Sequence, residues 1–498
     1  MRHLYYFYSC FNPTFMGGLL DEAIELSKDK ENEVLFVYCG GVSEMCQFNL
    51  GASASLCRYC SKCTKKVIES YGVKCESLKK YEISGKDDLN FDYSNAEELR
   101  SIKYRNVNIG LGIISGYISA TRNLTPLIDE ESRKYFDAHL AQNVRMVDAI
   151  YNLIDKFNPD AFHFFNGRYE EVRPIWDICH TTGLKCYIYE GTRKDGKWKK
   201  LIFEDHLPHD IKNGLRRRQY VWDHYNMSEE EKIAFGKSFY ERRRNGLYAG
   251  DKIYIKDQKK GNIPPIDESR INIGIMNSSE DEFCAVGAEW DSLKFFPTQY
   301  EGIVFMLEHA DPKVYFYLRI HPNLKNIKYK YYTDLLTLGE KYLNITVIPA
   351  DSDVSTYDLL DHMDKIVCFG STMGMESSYW KVPTINLGPA MYSYDDICYE
   401  PNDNDDLLRL LVTPLEAKFN DNLYKYGAYS LDKSPLFVSD KNLDYQLTEK
   451  KFMGYTYHIA PFISYIINDK VTGFIMAVRR YLLGRKKNNK YQVPLKEA

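Results

Sequence analysis

The sequence has no uninterrupted run of about 18 apolar residues, the length a membrane-spanning helix needs. It therefore predicts no transmembrane helix. Its first residues, Met1-Arg2-His3 followed by the apolar run 4–8, show no small-residue cleavage site and read as a first strand, not as a secretion signal. Together these absences predict a cytoplasmic protein. A net charge of only −4 gives no general reason for nucleic acid to bind. Low-complexity tracts and internal repeats are also missing. With 44% hydrophobic and 27% charged residues the chain has ordinary globular composition, which excludes disorder as its main state.

What is present is a chain of 498 residues, too long for one hydrophobic core and sized for two domains of about 200–250 residues each. Between 271 and 387, short β-branched runs alternate with helical stretches. Strands are predicted at 271–276, 314–320, 345–348, 365–369 and 384–387, with helices near 300–309, 331–341, 356–362 and 373–380. Repeated β-α units with short loops imply a parallel, doubly wound α/β sheet, whose ligands bind at the carboxyl ends of the strands. The N-terminal half has the same flavour. Strands are predicted at 3–8, 34–38, 161–165 and 186–189, with helices near 18–27, 132–157 and 172–182. The polar stretch 257–268 (DQKKGNIPPIDE) carries Pro264-Pro265 and has no periodicity, a linker signature. The expected architecture is two Rossmann-like domains, 1–256 and 269–430, facing a central cleft, followed by a C-terminal segment 431–498.

Two strand ends carry residues suited to chemistry. Gly370-Ser371-Thr372-Met373-Gly374-Met375-Glu376 follows the strand KIVCF directly. A small-residue turn feeding a helix presents backbone N–H groups to an anion, and Ser371 and Thr372 add hydroxyls. Glu376, about one turn on, is placed to accept hydrogen bonds from ribose hydroxyls. The alternative is an N-cap by Ser371 with a surface glutamate. His321-Pro322-Asn323 ends the strand VYFYLRI, and proline fixes the turn that presents the imidazole to a phosphate or a leaving group. Asp353-Val354-Ser355 opens a helix ahead of KIVCF.

The pattern strand-HPN, acidic-serine helix start, strand-GSTxGxE-helix-KVPTINLG resembles the C-terminal donor domain of bacterial capsule and surface-polysaccharide glycosyltransferases of the two-domain glycosyltransferase B fold. The likeness extends to the loop 277–283 (NSSEDEF). It implies that His321, Asn323, Ser355, Gly370, Ser371, Thr372 and Glu376 bind a nucleotide-activated sugar, UDP- or CMP-linked, and that Ser279 and Glu280 line the cleft. In the N-terminal half, Phe165-Asn166-Gly167-Arg168 and Tyr189-Glu190-Gly191-Thr192-Arg193 close two strands, similar to the N-terminal domain of the same enzymes. Transfer to a hydroxyl needs a carboxylate base; Glu190 is the first candidate, and Asp21 or Glu22 the second. Arg168 and Arg193 suit a phosphate or a carboxylated sugar, with Asn166 beside them on the acceptor side. The resemblance to the two-domain class carries the expectation of catalysis without a metal.

Cys46 precedes Cys57-x-x-Cys60-x-x-Cys63, a spacing open to zinc or an iron–sulfur cluster, yet no distant second CxxC completes a familiar module. The alternative is a helix over 56–70 with thiols on one face. The segment 462–483 mixes large apolar residues at helical spacing with Lys470, Arg479 and Arg480, and from 470 to 490 there are seven basic residues and no acidic one. It predicts an amphipathic helix on the anionic inner face of the plasma membrane, each basic residue contributing about 1 kcal/mol. A last helix packed back on the first domain is the other reading. The expected activity is transfer of a sugar to a surface-polysaccharide or lipid-linked glycan acceptor. Alternatives are a polyol-phosphate (teichoic-acid-like) transferase, a sugar-nucleotide 2-epimerase and a non-catalytic assembly subunit.

Overall fold

The structure, a computed structural model, describes residues 1–11, 13–83, 90–194, 197–250, 253–432, 482 and 489–498. The chain divides into two compact units, Met1–Pro208 with Val438–Ala498, and His209–Phe437.

Six strands form the sheet of the first unit: β1 (Arg2–Phe7), β2 (Glu33–Tyr38), β3 (Cys75–Ser77), β4 (Ala161–Phe165), β5 (Lys185–Lys194) and β6 (Lys197–Glu204). They lie in the order β3-β2-β1-β4-β5-β6, parallel up to β5, with β6 returning antiparallel. β1 and β4 are buried along almost their whole length, as strands covered by helices on both faces must be. The strand β3 and the β5–β6 hairpin were not expected from the sequence. β3 has only three residues, and β6 begins Lys-Trp-Lys-Lys, the lysine-rich composition of a sheet edge. The helix Glu130–Phe157 starts at a capping box, where Asp129 and Ser132 exchange bonds, and ends at Asn158 in a left-handed conformation.

The second unit holds β7 (Ile271–Met276), β8 (Val314–Arg319), β9 (Ile345–Ile348), β10 (Lys365–Cys368) and β11 (Thr384–Asn386), ordered β9-β8-β7-β10-β11 and all parallel. All five predicted strands are present. The helix expected over 331–341 is broken at Thr337 into Lys330–Leu336 and Leu338–Lys341. In both sheets the strand order reverses beside the first strand. At that point successive crossovers go to opposite faces, and the strand ends part to leave a crevice. In the second unit it lies between β7 and β10.

The boundary differs from the expected break at 256. Helices Ile211–Asp223 and Glu229–Arg244 belong to the second unit because they pack on Asn422–Asp432, where Phe239, Tyr240 and Leu423 share a core with Met375 and Tyr392. The crossing is close: a Cβ on Gly236 would stand 2.4 Å from the Tyr424 carbonyl oxygen, and one on Gly427 2.3 Å from that of Gly236. The stretch 257–268 is likewise no inter-domain linker. Gln258 Oε1 accepts the Thr356 amide at 2.8 Å and the Asn262 carbonyl accepts that of Ser355 at 2.8 Å, so it is sewn into the second unit.

Within the first unit, residues 489–498 are held by the Lys490 amide on the Gly51 carbonyl, the Tyr117 hydroxyl on Pro494 and Asn123 on Lys496. The predicted amphipathic helix 462–483 falls, apart from Leu482, outside the described residues. Among the described residues no helix is long and apolar enough to cross a membrane.

Candidate functional site

Strand alternation places Arg319 and His321, two residues apart, on one side of the β8 end. Arg319 is 4% exposed. Its guanidinium donates to the Pro349 carbonyl at 2.5 Å and the Ser352 carbonyl at 3.1 Å, while its Nε–H has no acceptor and no carboxylate pairs with it among the described residues. Burial brings its pKa down to about 10, with Asp351 opposing the fall. A charge held this way lacks the compensation that buried ions normally find.

His321 is fixed at both backbone and ring. Its amide donates to Asn277 Oδ1 at 2.8 Å, and its Nδ1 accepts the Asn323 amide at 3.2 Å, which leaves the ring proton on Nε2 as a donor. The Tyr254 ring stands edge-on at 5.1 Å. Asn323 corrects an expectation: its side chain accepts from the Tyr254 hydroxyl at 2.9 Å and donates to Glu282 at 2.8 Å, so it braces the loop instead of facing a ligand.

Across the crevice, Gly370 adopts φ +80°, and a Cβ there would lie 2.0 Å from the Pro389 carbonyl oxygen, so only glycine fits. Its amide donates to Asn386 Oδ1 at 3.1 Å and is not offered to a ligand, a second correction. The amides of Ser371 and Thr372 have no acceptor among the described residues. Ser371 Oγ accepts the Met373 amide at 3.3 Å, as a cap, and its carbonyl accepts the Tyr392 hydroxyl. Ser355 Oγ caps the helix Thr356–Leu360 through the Asp358 amide at 3.3 Å, and Thr356 takes its place on the cavity wall.

Glu376 has 0% exposure. One carboxylate oxygen accepts from Arg243 Nε at 2.9 Å and the other from the Tyr357 hydroxyl. Arg243 also donates to Thr372 Oγ1 at 3.4 Å. Burial, with Glu376 adding to it, raises the Tyr357 pKa strongly, so the phenol stays a donor. In place of an open ribose acceptor, Glu376 is thus the buried anchor of Arg243 and Tyr357.

These groups surround one cavity of about 80 Å³, open to solvent, whose walls include Arg243, Arg319, His321, Ser371, Thr372 and Glu376. Ser279 and Glu280 are not among its walls. Ser279 Oγ turns to Asp281 at 2.8 Å, and burial pushes the Glu280 carboxyl up to about 7. Arg243, Tyr254, Arg319 and Tyr357 were missed from sequence. The alternation Arg319-x-His321 was a usable signal; Arg243 gave none, since its partner is 133 residues away.

In the first unit, Asn166 and Arg168 follow the carboxyl end of β4, and Glu190 lies within β5, one residue past its last pairing with β4; the strand expected to close there runs on to Lys194. Asn166, at φ +60°, donates to Glu190 Oε1 at 2.5 Å and accepts the Arg168 amide at 3.0 Å, while Arg168 Nε donates to Ser115 Oγ at 2.7 Å. The Arg193 side chain lies outside the described residues. Asp21 and Glu22, the second candidates for the base, pair with the buried Lys200 at 3.3 and 2.5 Å, and burial raises the Asp21 carboxyl. Cys57, Cys60 and Cys63 sit on the helix Ala54–Ser70, and among the described residues no group of three or more His, Cys, Asp or Glu is arranged to hold a metal.

Glu170 and Glu171, an acidic pair that reads as surface from the sequence, are both buried. Glu170 accepts from His139 Nδ1 at 2.6 Å, and Glu171 accepts the Gln47 amide at 2.8 Å. Burial, then the neighbouring Glu170, raises the Glu171 carboxyl to about 8 from 4.5. A raised folded-state pKa stabilises fully below the unfolded value and loses that contribution as pH rises through the folded one. The urea midpoint of the first unit should fall as pH rises from about 4.5 to about 8, and Glu171→Gln should flatten the fall. Equal slopes in both proteins would count against the buried proton.

Residues 295–408 match the family model described as capsule polysaccharide biosynthesis protein. The matched stretch holds Arg319, His321, the Gly370 turn and Glu376, whereas Arg243 lies before it. No curated protein matches the chain. Among solved structures, the chain is similar to KpsC of Thermosulfurimonas dismutans as a beta Kdo 2,7 transferase, 14% identical over 56% of this chain and 79% of that one, TM-score 0.32. It is similar also to the KpsC beta Kdo 2,4 transferase from the same organism, 13% identical over 54% and 79%, TM-score 0.35. The UDP-GlcNAc 2-epimerase of Methanocaldococcus jannaschii, solved with UDP-GlcNAc and UDP, is 12% identical over 87% and 100%, TM-score 0.26.

Proposed function

We propose that this chain, which carries a capsule polysaccharide biosynthesis domain over residues 295–408, is a glycosyltransferase that moves a sugar from a nucleotide-activated donor to a hydroxyl of a surface-polysaccharide or lipid-linked glycan. The observation that supports this best is Arg319, a buried cation that pairs with no carboxylate among the described residues, on the wall of a cavity at the sheet's switch point. An anionic ligand supplies the missing charge. With the nucleotide phosphate against Arg319, the His321 Nε2–H and the Ser371 and Thr372 amides are donors for the charge that grows on the leaving group as the glycosidic bond breaks. The donor is UDP- or CMP-linked, and charge neutralisation by these residues requires no metal. On the acceptor side Glu190, oriented by Asn166, takes the hydroxyl proton.

Calorimetric titration with UDP, CMP, CDP and GDP should give one preferred nucleotide, and four flat traces would remove the reading. A donor screen then separates reactions by product: transfer releases free nucleotide in step with a lengthened acceptor, and epimerisation returns an isomeric nucleotide-sugar. Peripheral attachment to the inner membrane face through the basic segment 470–490 is part of the same proposal and is supported by composition alone. A chain ending at Pro461 should lose co-sedimentation with anionic vesicles; full retention would locate attachment elsewhere.

A further inference from the structure

The thiol cluster of the first unit is not used by glycosyl transfer. Cys10 follows β1 at the carboxyl edge of the sheet, and Cys60 lies on the helix Ala54–Ser70, two turns from its start. Their sulfurs are 4.0 Å apart, with the Cys10 thiol directed at Cys60. The Cys60 sulfur also has the Ser9 hydroxyl at 3.5 Å and the Thr64 hydroxyl at 4.0 Å, so oxygen groups surround it as well as the partner thiol. The two thiols differ in access. Cys10 is 1% exposed, while Cys60 is only half-buried and borders a small cavity with Tyr8, Ser9, Phe11 and Phe48.

We propose that Cys10 and Cys60 are a thiol pair that closes to a disulfide when a small-molecule disulfide such as oxidised glutathione reaches the cavity, tying the loop after β1 to the helix Ala54–Ser70. The more accessible Cys60 reacts first. The hydrogen bond from Cys10, ahead of opposing burial, brings its thiol below the usual range and favours the thiolate. Burial pushes Cys57 up to about 12 and holds Cys46 well above the usual thiol range, which leaves both as protonated bystanders. The Cys60 thiolate attacks one sulfur of the small disulfide, forms a mixed disulfide and releases one thiolate. Cys10, giving its proton to solvent, then attacks the Cys60 sulfur and expels the second. Two protein thiols lose two electrons in total, and one small disulfide is reduced to two thiols. The loop so tied carries Phe11, whose ring lies 6.1 Å from those of both Phe48 and Tyr59 beside the cavity, so the bond alters that wall.

The test is equilibration of the folded full-length chain with oxidised glutathione, followed by acid quenching, intact mass measurement and peptide mapping. Expected is the loss of two hydrogens per chain, a Cys10–Cys60 cross-linked peptide, and reversal by a dithiol reductant. Cys63→Ser should leave the cross-link in place, although Cys10 also hydrogen-bonds Cys63. Cys10→Ser should trap a persistent glutathione adduct on Cys60. A cross-link joining any other pair overturns the proposal. So does a folded wild-type chain that keeps all 12 thiols while the urea-unfolded chain is oxidised under the same conditions.

Discussion

Replacing Arg319 by methionine should weaken nucleotide binding severely and leave the fold standing. The guanidinium is buried and, among the described residues, is bonded to two carbonyls and to no carboxylate, so Asp351 offsets its desolvation only in part until a ligand brings a closer anion. Removing one partner of a buried charge pair costs about 2–4 kcal/mol in binding, which is roughly 30- to 1000-fold in Kd. Stability responds differently. Methionine leaves the Pro349 and Ser352 carbonyls with one donor fewer, at about 1 kcal/mol each, but it also removes the desolvation of the cation, and the two effects oppose each other. The expected change in unfolding free energy is under about 2 kcal/mol. Arg319→Lys keeps the charge and loses the planar fork, so it should bind with intermediate affinity. Calorimetry on the three proteins with the preferred nucleotide decides the matter: wild-type affinity in the methionine variant would place the anion elsewhere.

Glu376→Ala should do the reverse, with stability lost first. The carboxylate is fully buried, and its oxygens hold Arg243 and Tyr357. Its deletion leaves a largely buried guanidinium without its anion, which costs about 3–5 kcal/mol. For a unit of this size each kcal/mol shifts Tm by about 2–4 °C, so a fall of roughly 6–20 °C is expected. The double variant Arg243→Met, Glu376→Leu should recover part of the loss, because the two residues form one coupled pair. If Glu376 served chiefly as an acceptor for ribose hydroxyls, the alanine variant would keep its Tm and lose only affinity. Thermal melts with and without nucleotide separate the two roles.

The same contrast shows why some of the site was legible and some was not. His321 and the Gly370 turn each follow directly on an apolar run, and chain order alone puts such residues at the carboxyl ends of parallel strands. Glu376 was found for the same reason, yet its task was misassigned. A glutamate one turn into a helix looks the same in sequence whether it faces a cleft or, as here, an arginine 133 residues earlier in the chain. Asn323 and Ser355 were in the right loops, but their side chains satisfy neighbouring groups, Tyr254 and Glu282 for the one and a helix cap for the other. Asp21 and Glu22 pair with Lys200, which a β-hairpin unseen in the sequence brings against them.

By itself the sequence determined the α/β class, every strand of the second sheet and the turns that face its crevice, because buried parallel strands are continuous apolar runs and their loops are short. Only the tertiary structure decided where the units divide, which helix delivers Arg243, and that Arg319 is buried with no carboxylate paired to it among the described residues. Those facts depend on which distant side chains share a volume from which water is excluded. Burial and pairing of charge are properties of that volume and not of any local stretch of chain.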